Sequence, residues 1–110
     1  MKKIICTLLV IVMLSSFMFV FADTVVRDSA GQSFTASWEL YANDKTWVMR
    51  YGFDASLLTS DYCHTIHSTN NHIARLSNDN GIFSAYGSAG QWALVDVVHA
   101  GKLIYYSITF

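Results

Sequence analysis

The sequence predicts a small antiparallel β-sandwich preceded by a cleavable signal peptide. Three observations carry this prediction. After residue 23, apolar and polar residues alternate instead of recurring at helical spacing, turn-forming residues separate the alternating segments, and proline is absent. Alternation places the apolar side chains on one face of a strand, and two such faces bury each other when two sheets pack together.

The N-terminal segment has the layout of a secretory signal. Lys2 and Lys3 precede a long apolar stretch, and the small residue Ala22 stands where signal peptidase would cleave. The alternative is an uncleaved membrane anchor, because the apolar stretch is long enough to span a bilayer. We expect residues 1–22 to be the signal peptide and residues 23–110 to be one secreted, extracellular domain of 88 residues.

The first half of the mature chain predicts a β-hairpin. Residues 32–40 alternate, with Trp38 on the apolar side. Residues 43–45 are Asn-Asp-Lys, which favours a turn, and residues 46–53 alternate again with Trp47 on the apolar side. These two segments are therefore expected to pair with each other.

The central part of the mature chain is less regular. Residues 55–61 show no clear pattern, and residues 62–77 contain three histidines and an Asn-Asn pair typical of a turn. The Asn-Asp-Asn-Gly segment at residues 78–81 is the clearest turn signal, because Asn and Gly tolerate positive φ. Residues 82–86 are predicted to form a short strand.

The C-terminal part predicts a second hairpin. Residues 91–99 and 102–110 are rich in β-branched and aromatic residues, and Ala100-Gly101 between them suits a two-residue turn. Both faces of the last segment carry bulky side chains. This pattern predicts a strand buried on both sides in the middle of a sheet.

The charge of the mature chain limits its partners. It has five basic residues and eight acidic ones, which gives a net charge of −3 with the histidines neutral. A chain without a basic patch cannot neutralise a phosphate backbone. Composition therefore argues against nucleic acid as a partner.

Cysteine usage excludes an intrachain disulfide in the mature domain. Cys6 lies in the predicted signal peptide, which leaves Cys63 as a single thiol. Cys63 is interpreted either as a small packing residue, which we favour, or as a thiol that forms an intermolecular disulfide or reacts.

The histidines are candidate metal ligands by type but not by spacing. His64, His67 and His72 lie close to Cys63, and imidazole and thiolate bind zinc or copper. On a strand, however, His64 and His67 face opposite sides, and a helix would not bring His72 onto their face. We predict no metal site and no other cofactor.

Catalytic signatures are also absent from the sequence. No serine has a G-x-S-x-G elbow around it, and Cys63 lacks a cysteine-protease signature. Glu39 is the only glutamate, so no glutamate pair is available for glycoside hydrolysis. We therefore expect a binding protein and not an enzyme. The three tryptophans and six tyrosines are suited to binding sugars and amphipathic ligands, although most such rings fill cores.

Four ordered features resemble one family of secreted proteins. They are Trp47 ahead of the Tyr51-Gly52 pair; Ser60, Tyr62 and His64 ahead of a second histidine; the Ala89-Gly90-Gln91-Trp92-Ala93 block; and the Tyr105-Tyr106 pair near the C-terminus. With a signal peptide in front, the chain resembles a divergent member of the lactococcin 972 family of bacteriocins. The second histidine of the pattern corresponds either to His67 or to His72.

The resemblance implies a fold, an activity and partners. It implies a β-sandwich that forms homodimers. It also implies an antibacterial protein that binds lipid II, or another cell-wall precursor, of related Gram-positive bacteria and blocks septum formation without forming pores. It also implies an export transporter and an immunity protein. The expected ligand-binding residues supply hydrogen-bonding groups and flat rings, and they are His64, His67, His72, Trp92, Tyr105 and Tyr106. The alternative function is a structural or adhesive surface module without antibacterial activity.

Overall fold

The computed structural model describes residues 23–56 and 58–110, and this part of the chain is built from β-strands without a helix. The strands are β1 (Thr24–Asp28), β2 (Trp38–Asn43), β3 (Trp47–Asp54), β4 (Ser60–His67), β5 (His72–Asn78), β6 (Gly81–Gly87), β7 (Ala93–Val98) and β8 (Tyr105–Thr109). The predicted signal peptide lies outside the described residues. Within the residues that are described, no helix is long and apolar enough to cross a membrane.

In the described part of the chain, eight strands form two four-stranded antiparallel sheets that pack face to face. The strand order is β1-β8-β5-β6 in sheet A and β2-β3-β4-β7 in sheet B. The fold class predicted from alternation, an antiparallel β-sandwich, is confirmed.

The core lies between the two sheets, and strict alternation supplies it. In β4, inward-facing Asp61, Cys63 and Thr65 are completely buried, whereas the residues between them are partly exposed. Met49 of sheet B and Tyr106 of sheet A are also completely buried. Because side chains in a strand alternate between faces, every second residue of these strands contributes to the core.

The first hairpin is confirmed, but its first strand is shorter than predicted. β2 and β3 are antiparallel neighbours, and β2 begins only at Trp38. The alternation of residues 32–37 therefore does not continue a strand. Instead, Phe34 packs its ring against Phe53 at 5.1 Å and against His99 at 4.3 Å between ring centroids. This loop covers one end of the sandwich.

The predicted C-terminal hairpin is wrong. β7 pairs with β4 in sheet B, whereas β8 pairs with β1 and β5 in sheet A. The chain crosses between the sheets after β7, and Ser29 fixes the crossing segment by accepting the Ile104 N–H at 2.9 Å and donating to the Lys102 carbonyl at 3.2 Å. β8 lies inside its sheet as predicted, but only its inward face is buried, because Tyr105 is 45% exposed.

Candidate ligand-binding site

The outer face of sheet B carries a cluster of polar and aromatic side chains. The strand register aligns Glu39, Gly52, Tyr62 and Asp96 in one row across the four strands. The next row on the same face contains Arg50 and His64, with Tyr41 and Leu94 at the two edges. We call five of these residues the sheet B cluster: Glu39, Arg50, Tyr62, His64 and Asp96.

The absence of a side chain at Gly52 lets Tyr62 reach Glu39 across β3. A methyl group at Gly52 would lie 2.8 Å from the Tyr62 hydroxyl, so this hydroxyl occupies the space above the glycine. From there Tyr62 donates to Oε2 of Glu39 at 2.5 Å, and Tyr41 donates to Oε1 of the same carboxylate. A glycine inside a strand often marks such a close approach. Here it lets β4 contact β2 across β3.

The hydrogen bonds set the charge state of the cluster. Burial acts to raise the pKa of Glu39, but the hydrogen bonds from Tyr41 and Tyr62 and the charge of Arg50 lower it overall. Burial and the bond to Glu39 raise the pKa of Tyr62 far above its usual range. Glu39 is therefore a carboxylate and Tyr62 a neutral donor at physiological pH.

His64 and Arg50 connect the cluster to its neighbours. Nε2 of His64 donates to the Asp96 carboxylate and lies 3.0 Å from both oxygens. Nε of Arg50 lies 3.9 Å from Oε2 of Glu39, and its guanidinium lies 5.1 Å from the centre of the Trp92 ring. This cation–π contact attaches an exposed indole to the edge of the cluster.

A pocket of about 480 Å³ opens along the sheet B cluster. Beside the cluster, its wall is formed by Ser37, Trp38, Phe53, Asp54 and Ser60. Small-molecule sites have volumes of this order and combine rings with a few convergent polar groups. The arrangement can accept hydrogen bonds from a ligand at its carboxylates and present flat ring faces to it.

The structure separates the residues predicted for ligand binding. His64 and Trp92 lie on the outer side of sheet B, linked through Arg50. Tyr105 lies on the outer face of sheet A, because its neighbour Tyr106 faces the core. These exposed side chains belong to opposite faces of the sandwich.

The other three predicted residues are buried. Tyr106 packs against Tyr51 between the sheets, with 4.9 Å between ring centroids. His72 is completely buried, with Nε2 3.1 Å from the Thr65 carbonyl, and His67 is 3% exposed. None of these three contributes to the surface of the outer-face pocket.

A second polar cluster lies at one end of the sandwich, and both oxygens of its central carboxylate accept hydrogen bonds within the protein. Buried Asp61 accepts hydrogen bonds from Nδ1 of His99 at 2.8 Å and from Nδ2 of Asn78 at 3.0 Å. The His99 ring is stacked on Phe34. Because the partners of Asp61 are side chains of the protein, this network holds strands and a loop together instead of facing a ligand.

Cys63 occupies the core and not the surface. Its side chain is completely buried, and Sγ lies 3.6 Å from the Ser107 carbonyl across the two sheets. Burial raises the pKa of the thiol to about 12. This placement supports the interpretation of Cys63 as a packing residue.

Most of the sheet B cluster was not predicted from the sequence. Only His64 is among the residues predicted to bind a ligand, whereas Glu39, Arg50, Tyr62 and Asp96 are not, although Tyr62 formed part of the family resemblance. Two features of the sequence could have indicated a site on this face. One is that the only glutamate, Glu39, lies in a segment rich in aromatic residues, and the other is that Gly52 interrupts a strand of bulky residues.

The fold and the pocket define a β-sandwich with a candidate binding site on one outer face. Comparison with known proteins adds no relative, since no family model, no curated protein and no solved structure matches this chain.

Proposed function

We propose that this protein is a secreted antibacterial binding protein that recognises lipid II and blocks septum formation in related Gram-positive bacteria. The observation that carries the proposal is the pocket on the outer face of sheet B, where ionised and neutral hydrogen-bonding groups lie beside aromatic rings. The ordered resemblance of residues 47–110 to the lactococcin 972 pattern supplies the ligand and the mode of action.

The chemistry of the ligand fits such a site. Lipid II offers two sugars, a short peptide and a pyrophosphate, and its sugar part calls for hydrogen-bonding groups beside flat rings. The net charge of −3 gives the mature domain no general attraction to anionic envelopes. Binding of a defined precursor is therefore favoured over disruption of membranes.

A cell assay with purified mature protein tests this function. Treated cells should stop forming septa while they keep their membrane potential, and added purified lipid II should relieve the block. His64→Ala removes a pocket side chain and should lose activity, whereas Tyr86→Ala, on the outer face of sheet A, should retain it. Rapid depolarisation, or inhibition that is indifferent to lipid II, would remove the proposed mechanism.

A structural or adhesive surface module is the second candidate. Strands β6 and β7 carry exposed apolar side chains, among them Ile82 (71% exposed), Leu94 (54%) and Val98 (60%). Apolar side chains at sheet edges are suited to contacts with other surfaces or with a second copy of the chain. The two candidates predict different gene neighbourhoods, because a bacteriocin needs an export transporter and an immunity protein and an adhesive module does not.

A further inference from the structure

The charge of the outer-face pocket restricts what it can hold. Among the described residues, three carboxylates line it, those of Glu39, Asp54 and Asp96, against one guanidinium, that of Arg50. The formal charge of the lining is therefore −2 with His64 neutral and −1 with His64 protonated. Like charges repel strongly where a surface is partly shielded from water. A phosphate group would meet this repulsion in either protonation state.

The single guanidinium in the wall does not reverse this charge. Arg50 lies 3.9 Å from the Glu39 carboxylate and packs over the Trp92 ring. His64 is likewise held against the Asp96 carboxylate at 3.0 Å. Each cationic or potentially cationic group thus already faces an acidic partner. A phosphate site would instead need donors that converge without nearby carboxylates.

Sugar hydroxyl groups suit the same wall. An ionised carboxylate has no proton to donate and accepts two or more hydrogen bonds, which matches neighbouring hydroxyls of a sugar ring. Asp96 is available for this role, because its side chain is 56% exposed while it holds His64. Glu39 adds a second acceptor in the same row of the sheet.

Flat rings stand beside these acceptors. The rings of Tyr62 and His64 lie 5.0 Å apart between centroids and both line the pocket. Trp92 is 43% exposed at the edge of the cluster. The apolar face of a sugar ring packs on such surfaces, while its hydroxyls reach the carboxylates at the side.

We infer that the outer-face pocket of sheet B binds the uncharged sugar rings of the wall precursor and leaves the pyrophosphate outside. This inference rests on the proposed function and names the part of the ligand that the pocket holds. The inference is carried by three carboxylates, a guanidinium that lies beside one of them, and partly exposed rings around one pocket.

Titrations of the purified mature protein followed by NMR test the inference. The probes are N,N′-diacetylchitobiose, a neutral acetamido disaccharide, and inorganic pyrophosphate. Chitobiose should shift resonances of Tyr62 and His64, and pyrophosphate should leave them in place. Binding of pyrophosphate at these residues without binding of chitobiose would overturn the inference.

Variants link binding to the pocket. Asp96→Asn keeps the shape of the side chain but removes its charge, and we expect affinity for chitobiose to fall about tenfold, as for loss of a charge-assisted hydrogen bond. Trp92→Ala should also weaken binding. Its matched control is Tyr86→Ala, because Tyr86 is a similarly exposed ring on the opposite sheet (56% against 43%). Equal affinities of the Trp92 and Tyr86 variants, with unchanged affinity of Asp96→Asn, would overturn the placement of the sugar.

The outcomes also separate this inference from the proposed function. If lipid II relieves the septation block but chitobiose does not bind, the inference is wrong and the proposed function stands. If chitobiose binds and Asp96→Asn weakens it, but lipid II has no effect on treated cells, the sugar pocket is supported and the proposed function falls. Circular dichroism of each variant confirms that it has folded.

Discussion

Replacing Gly52 with alanine should destabilise the sandwich, because atoms of β2 and β4 already occupy the space that the methyl group needs. The added methyl group would lie 2.1 Å from the Trp38 carbonyl oxygen and 2.8 Å from the Tyr62 hydroxyl. The tyrosine could move aside, but the carbonyl belongs to the backbone of the neighbouring strand. Rotation of a side chain therefore cannot relieve the clash, and β2 and β3 must shift apart.

The expected cost follows from two contributions. Forcing an extra methyl group into a packed position costs about 1–3 kcal/mol. Displacing the Tyr62 hydroxyl also breaks its hydrogen bond to the Glu39 carboxylate, which is worth about 1 kcal/mol or somewhat more at a partly exposed site. Alanine recovers about 0.5–1 kcal/mol of backbone entropy. We therefore expect a net loss of about 1–3.5 kcal/mol.

Urea unfolding of the purified mature domain measures this loss as a lower midpoint at an unchanged m-value. Gly31→Ala is the control, because no atom lies within 4 Å of its added methyl group and only its φ of 82° opposes alanine. The left-handed φ costs about 1–2 kcal/mol for alanine, and after the same entropy gain the control should lose about 0–1.5 kcal/mol. If Gly52→Ala loses no more stability than Gly31→Ala, β2 and Tyr62 do not approach Gly52 as closely as the structure shows.

Three further predictions test the core and the processing of the chain. The Cys63 thiol should not react with a thiol reagent until the protein unfolds, because burial raises its pKa to about 12, and non-reducing electrophoresis should show no disulfide-linked dimer. His67 accepts the Asn70 N–H at Nδ1, and burial, followed by the charge of His72, lowers its pKa below the usual 6.5. The folded chain then binds fewer protons than the unfolded chain, so stability present above pH 6.5 should be lost as pH falls below it. Urea midpoints should therefore drop between about pH 7.5 and about pH 5, and a similar drop in His67→Gln would contradict this origin. The intact mass of secreted protein should match residues 23–110, and a mass that retains Lys2 and Lys3 would indicate an anchor.

The sequence predicted most strands but not all of their partners. Alternation located β3 and the hairpin with β2, because the turn between them is short and local. The same reasoning paired the last two segments wrongly. A strand pattern states which face is apolar, but the choice between β4 and β8 as the partner of β7 depends on long-range packing of two sheets. β1 was missed because four of its five residues are exposed at a sheet edge.

The site was harder to predict than the fold because it depends on register. Glu39 and Asp96 lie at opposite edges of sheet B and share a row only when β2, β3, β4 and β7 are aligned as observed. A slip of β2 by one residue would turn Glu39 toward the core and remove the acceptor of the Tyr62 hydroxyl. The family resemblance and residue chemistry together selected His64 and Trp92, but they also selected Tyr106, which the pleat turns inward. Gly52 lies between the backbone of β2 and the hydroxyl of Tyr62, a residue that lines the pocket. A larger residue at this position should therefore lower both the stability of the fold and the affinity for the sugar, whereas Asp96→Asn should lower the affinity alone.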